Sequence, residues 1–300
     1  MESGRLNGSG NEVAPYGHTP VVAFVNEKGG VAKTTSCVNL AAALSQRNER
    51  VLCIDLDPQA NATTAFGVSA EQAIEREAHC LLTMARFPLE RAIVPTQIDK
   101  VDLVPASARL ADCNKTLVME VGREGRLKGK LREYYRSVLT DKYDMILIDC
   151  PPSLDLLSIN ALTAATHMVV PVTTKFYALK GMALLGDMVA TLHDQIGASV
   201  RMLGVLVTMF DKKTALDVTI YRLLKEKIES DFGDYVFSTI ISKSVVVSEA
   251  EAGGLPVTLR DPESPAAQAY RNFAGEVMDR LSHDVGTLIP MAGLAASQGN

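Results

Sequence analysis

The sequence predicts a doubly wound α/β fold, a mostly parallel sheet flanked by helices, on three observations. Short aliphatic or β-branched runs alternate along the chain with longer helical patterns. Nearly all of these runs are apolar throughout, as strands covered on both faces are, instead of alternating apolar with polar. Neither an internal repeat nor a linker interrupts residues 21–285, so the chain reads as one domain there.

The strand candidates are "VVAFV" from Val21, "VLCI" from Val51, "VDLV" from Val101, "MILI" from Met145, "MVVPV" from Met168, "MLGVLV" from Met202 and "YVFSTII" from Tyr235. Helical patterns lie between them, beginning near Lys33 and covering about Arg126 to Leu139, Leu179 to Gln195 and Leu216 to Ser230. A last helix starts at "ESPAAQAYRNF", where Ser264 is placed to cap and Pro265 occupies the first turn. Tyr270, Phe273, Val277 and Leu281 recur at helical spacing on its apolar face. Residues 1–20, rich in Gly, Asn, Ser and Pro, are expected to form a flexible tail, as are residues 286–300.

Composition narrows the functional classes. With 300 residues, 22% of them charged, the chain can bury a substantial core. The first twenty residues carry no apolar segment of the kind a secretory signal needs, and no apolar run approaches the roughly 18 residues of a membrane span. A cytoplasmic protein is expected. Cys37, Cys53, Cys80, Cys113 and Cys150 are scattered, without a C-x-x-C pair, which argues against zinc or iron-sulfur ligation and for reduced, partly buried thiols. A net charge of -5 gives no general attraction to nucleic acid, so any such binding needs a local basic patch.

The chemistry concentrates in "NEKGGVAKTT", Asn26 to Thr35, between the first strand and the helix "KTTSCVNLAAAL". This is the setting of a phosphate-binding loop. Backbone N–H groups of a tight turn and a helix N-terminus converge there, and the helix dipole adds positive potential. Lys33 would reach the β- and γ-phosphates, and the Thr34 hydroxyl would ligate Mg²⁺. Gly29 and Gly30 let the chain turn and approach phosphate. Both glycines of the usual G-x-x-x-x-G-K-[ST] pattern are missing, with Glu27 and Ala32 in their places.

"KGGVAKTT" resembles the deviant Walker A motif K-G-G-x-x-K-[ST] of the ParA/MinD family of P-loop ATPases, with Lys28 as the additional lysine. The resemblance implies a Rossmann-like three-layer P-loop NTPase fold, ATP and Mg²⁺ as cofactors, and an ATP-sandwiched homodimer in which Lys28 crosses to the partner subunit's phosphates. The loop from Lys28 through Gly29, Gly30, Val31, Ala32, Lys33 and Thr34 to Thr35 would hold the nucleotide. Ala32 departs from the family's glycine, a methyl added beside the β-phosphate. "CIDLDPQANATT" resembles D-x-D-P-Q-G-N-A-T, which makes Asp57 the carboxylate that orients attacking water and Asp55 one near Mg²⁺; Ala60 again replaces a glycine. "YDMILIDCPPSL" matches the Walker B segment, with Asp149 at the carboxyl end of its strand and expected to hold a magnesium-bound water. Lys28, Lys33 and Asp57 are thus the expected catalytic residues. Asn160 matches a position near the nucleotide, while Met209, Phe210 and Asp211 of "GVLVTMFDKKT" match positions beside the adenine. "ISKSVVVSEAEAGGLPV" follows the family's I-P-R-N-V-R-L-S-E-A-P-S-x-G-x-P-V more loosely.

The resemblance further implies non-specific DNA binding, with Lys213 and Lys243 as candidates, release by a ParB-like partner that stimulates a slow ATPase, and nucleoid association. The basic residues of "GREGRLKGKLREYYR" and "YRLLKEKIESDF" serve equally as solvated helix faces. Two further readings stand beside the partition ATPase: a MinD-like membrane switch and a positioning factor for a protein assembly. No lysine or arginine follows Arg280, which disfavours a basic amphipathic helix lying on lipid, and no membrane contact is expected.

Overall fold

The computed structural model describes residues 19–137, 142–175 and 178–283. The tails expected at 1–20 and 286–300 fall outside these residues, with one correction. Thr19 is buried and its hydroxyl donates to the Tyr143 carbonyl at 2.9 Å, while the Pro20 carbonyl accepts from the Ile146 amide at 2.9 Å. These two residues continue the hydrogen bonding of the first strand and are not part of a tail.

Eight strands, β1 (Val21–Phe24), β2 (Val51–Asp55), β3 (Val94–Pro95), β4 (Val101–Val104), β5 (Met145–Asp149), β6 (His167–Thr173), β7 (Arg201–Phe210) and β8 (Val236–Ser242), form one sheet in the order β3-β4-β2-β5-β1-β6-β7-β8. Every pairing is parallel except that of β3 with β4. The seven expected strands are present. The additional strand, β3, is two residues long and includes a proline, so it has no periodicity to detect; it caps an edge, where a missing N–H donor is tolerated.

The apolar runs are explained by two cores, one on each face of the sheet. Val21, Ala23, Leu52, Ile54, Ile146 and Ile148 enter one, and Val22, Phe24, Val51, Cys53, Met145 and Leu147 the other. Successive side chains point to opposite faces, so a strand with helices on both sides must be apolar at every position. The long helices Lys33–Gln46, Arg126–Ser137, Ala178–Ile196, Ala215–Phe232 and Pro265–Ser282 follow the expected segments. Ser264 caps the last of them, its hydroxyl accepting from the Ala267 amide at 3.2 Å, and Tyr270, Phe273 and Val277 are fully buried. The helices Leu156–Ala164 and Val245–Ala252 are additional.

Topology assembles the site. β1 lies between β5 and β6, and β5 lies between β1 and β2, with Asp149 in register with both Phe24 and Asp55. The carboxyl ends of three central strands therefore stop side by side, at the crevice where parallel α/β sheets bind ligands.

Candidate nucleotide site

The loop after β1 is fastened at both ends by residues that sequence reasoning left without a role. Asn26, buried, donates from Nδ2 to the Pro171 carbonyl at 2.7 Å and accepts at Oδ1 from the Lys28 amide at 3.0 Å. Thr208, at the far end of β7, donates to the carbonyls of Val31 and Val172 at 3.0 Å each, tying the loop to β6. A polar residue at the end of an apolar strand was the only available signal for either.

Gly30 has φ 69°, the left-handed region that favours glycine. Ala32 has φ 59° and ψ 36°, in the same region, and directly precedes the Lys33–Gln46 helix, whose Ser36 amide donates to the Ala32 carbonyl at 3.0 Å. The departure from glycine at this position therefore strains the backbone, at a cost of about 1–2 kcal/mol for an L-residue. Ala60 repeats the pattern at φ 53° and ψ 34°, immediately before the Asn61–Ala65 helix. Both expected anomalies thus share one physical cause.

Lys33, buried, donates from Nζ to the Lys28 carbonyl at 3.2 Å. Burial holds its pKa below the usual lysine value, against the pull of Asp149, Cys150 and Asp57. Asp55 is fully buried; Oδ2 accepts from the Thr63 amide and hydroxyl at 2.9 and 2.8 Å, and Oδ1 from the Asp57 amide at 3.0 Å. Desolvation nevertheless pushes its pKa up to about 6. Asp149 is also buried and its pKa is raised, through desolvation first and the charge of Asp55 second, with Thr34 and Lys33 opposing. No hydrogen bond of good geometry reaches either Asp149 oxygen. Asp57 accepts from the Gln59 amide at 2.9 Å through Oδ1.

Two adjoining cavities open here. One of about 480 Å³ is lined by Gly29, Gly30, Ala32, Lys33, Thr34 and Asp57, with Pro152, Leu255 and Pro256 among its other walls. The second, of about 520 Å³, is lined by Met209, Phe210, Asp211, Lys213, Lys243 and Tyr270 among others. The structure thus brings Gly29, Gly30, Ala32, Lys33, Thr34 and Thr35, with Asp57 and Met209, to one cavity, and Met209, Phe210 and Asp211 to its neighbour; Lys28, Val31, Asp55 and Asp149 line neither.

Asn160 is placed away from both cavities. It is completely buried in the Leu156–Ala164 helix; Oδ1 accepts from the Leu127 amide at 3.1 Å, and Nδ2 donates to the Arg123 and Leu156 carbonyls, both at 2.9 Å. Its polar atoms are engaged in joining helices, and it lines neither cavity. The five cysteines are all buried and unpaired.

The donor set suits magnesium. Among the described residues no group of three or more His, Cys, Asp or Glu side chains could enclose a metal. Mg²⁺ keeps most of its waters and takes one or two protein oxygens together with substrate phosphates. Thr34 beside the paired carboxyls Asp55 and Asp149 meets that requirement.

The chain resembles known proteins over most of its length. A family model described as an AAA domain matches residues 19–202. The sporulation initiation inhibitor protein Soj of Bacillus subtilis is 38% identical over 257 residues, 86% of this chain and 97% of Soj. The chromosome partitioning protein ParA of Caulobacter vibrioides is 36% identical over 261 residues, 87% of this chain and 94% of the relative. The crystal structure of cobyrinic acid a,c-diamide synthase from Mycobacterium smegmatis, with bound ADP and magnesium, matches with a TM-score of 0.72 at 30% identity, over 89% of this chain and 96% of that one. On the strength of a domain match across more than half its residues and of the Soj and ParA relatives, the chain belongs to the ParA/MinD family of P-loop ATPases.

Proposed function

We propose that this chain is a ParA-like partition ATPase, which forms an ATP-sandwiched homodimer, binds DNA without sequence preference and is released when a ParB-like partner stimulates hydrolysis. The observation that carries the reading is the convergence of Lys33, Asp55, Asp57 and Asp149 on the carboxyl ends of β1, β2 and β5. The reading includes a nucleoid-associated cytoplasmic location. Among the described residues no helix is long and apolar enough to cross a membrane.

In this mechanism the amides of Gly29 to Thr35 receive the polyphosphate, and the Lys33 ammonium exchanges the Lys28 carbonyl for phosphate oxygens. Thr34, Asp55 and Asp149 would hold magnesium, which neutralises charge on the β- and γ-phosphates when bound. Asp57, with Oδ1 occupied by the Gln59 amide, has its other oxygen to orient the attacking water in line with the γ-phosphorus. Lys28 contributes its charge to the partner subunit's phosphates across the dimer, and Met209, Phe210 and Asp211 flank the base.

Support for the DNA surface comes from the rim of the second cavity. Lys213 and Lys243 are exposed there, and the Lys243 amide donates to the Phe210 carbonyl at 3.0 Å, which keeps the two loops together; Lys212 joins them. The other basic stretches are less available. Lys225 and Lys227 pair with Glu229 and Asp231 at 3.4 and 3.1 Å, Arg126 pairs with Glu120 at 2.6 Å, and the Lys130 ammonium is bound to the Met84 and Ala85 carbonyls.

The test is DNA retention with ATP against ADP, at low and raised salt, for the intact protein and the Lys213→Ala plus Lys243→Ala variant. Retention should require ATP, fall with log salt at a slope of about -0.9 per neutralised phosphate, and be lost in the double variant. Retention equal with ATP and ADP overturns the gated-binding reading.

A further inference from the structure

The two cavities share four walls: Ala32, Thr35, Met209 and Glu251. Two of these are joined. The Thr35 hydroxyl donates to Glu251 Oε1, linking the first turn of the Lys33–Gln46 helix to the Val245–Ala252 helix across 216 residues of sequence. The contact therefore stands as a bar between the phosphate cavity and its neighbour. Glu251 also occupies the position where the family pattern S-E-A-P-S has proline, so the bar belongs to this chain's own sequence.

A nucleotide whose phosphates lie on the Gly29 to Thr35 loop, and whose base lies beside Met209 and Phe210, crosses that bar with its sugar. An ionised carboxylate only accepts hydrogen bonds. Phosphate oxygens offer it no donor and repel it, whereas the ribose 2′- and 3′-hydroxyls are donors at the point of crossing. We propose that Glu251 is a specificity-determining residue that reads the ribose: its carboxylate exchanges the Thr35 hydroxyl for the sugar hydroxyls when nucleotide binds, selecting ribonucleotides over their deoxy analogues. The inference rests on the nucleotide-site reading above.

The experiment is titration of the full chain, in magnesium, with ATP and with 2′,3′-dideoxy-ATP, for the unaltered protein and for Glu251→Ala and Glu251→Gln. Melting curves establish that both variants fold. The unaltered protein should bind ATP about 10-fold more tightly than the dideoxy nucleotide, the order expected for a hydrogen bond to a charged group. Glu251→Ala should bind the two nucleotides with equal affinity. Glu251→Gln, which retains an acceptor at the same reach, should keep a preference that the alanine variant lacks. An unchanged ratio in Glu251→Ala overturns the proposal, as does equal affinity of the unaltered protein for both nucleotides. So does uniformly tighter binding of both by Glu251→Ala at the unaltered ratio, which would make the carboxylate only a repulsive charge. If neither nucleotide binds the folded, unaltered protein, the nucleotide-site reading itself fails, a result distinct from the other three.

Discussion

Ala32 and Ala60 hold part of the strain of the site. Each has a positive φ at the start of a helix, next to the phosphate loop in one case and to Asp57 in the other. Replacing either by glycine removes the clash of Cβ with the backbone, but increases the freedom of the unfolded chain. The first effect is the larger in the left-handed region, so Ala32→Gly should stabilise the nucleotide-free protein by about 1 kcal/mol. Urea denaturation checks this, and an unchanged or lower midpoint would remove the assignment of strain. A motif comparison reveals that glycine is missing at these positions; only dihedral angles reveal that the consequence lies in the backbone as well as in the space for phosphate.

At the scale of elements, two polar contacts between distant segments are exposed to test. Asn160→Ala leaves the buried Leu127 amide and the partly buried Arg123 carbonyl without their partner, a loss of about 2 kcal/mol in stability. The same variant should bind ATP with unchanged affinity, because the side chain reaches neither cavity. Calorimetry on the folded variant separates a structural asparagine from a nucleotide ligand. Near the amino ends of β2 and β5, Arg50 donates to Asp144 from its backbone amide at 2.8 Å and from its guanidinium at 3.1 and 3.3 Å. That hydrogen bonding holds the Asp144 carboxyl below its usual range. A depressed acid stabilises the fold above its unfolded pKa, near 3.8, and loses the contribution as pH falls through the lower folded value. The pair is partly exposed, so Asp144→Asn should cost only about 0.5 kcal/mol at pH 7, and the difference from the unaltered protein should vanish in acid. Denaturation at pH 7 and at pH 2.5 measures both quantities; a penalty that persists at low pH would assign it to packing instead.

For the whole molecule, the proposed ATP-sandwiched dimer makes Lys28 the residue expected to separate dimer formation from nucleotide binding. It lies at the open end of the loop, half-buried, and its carbonyl already serves Lys33. Lys28→Ala should therefore retain magnesium-dependent ATP binding as a monomer and fail to dimerise with ATP, as light scattering would register. A dimer formed as readily by the variant would exclude Lys28 from the interface chemistry.

Periodicity and local motif were sufficient for much of this. Most of the seven strands are apolar at nearly every position because both faces are covered, so β1, β2 and β4 to β8 were legible, as were the five long helices with their apolar stripes. The two-residue β3 was not, because a period needs several repeats to be seen. Lys33, Asp55 and Asp149 could be placed from sequence because each ends a strand or opens the helix that follows one, and Asp57 because it follows Asp55 in a shared motif. Spatial meetings between separate segments were not: Thr35 with Glu251, Thr208 with the Val31 carbonyl, and Asn160 with the helices before β5. Chain-local chemistry thus determined the fold class and the phosphate loop. Sheet order, which alone decides which strand ends become neighbours, determined the partners of each polar group and hence which of them remain available to a ligand.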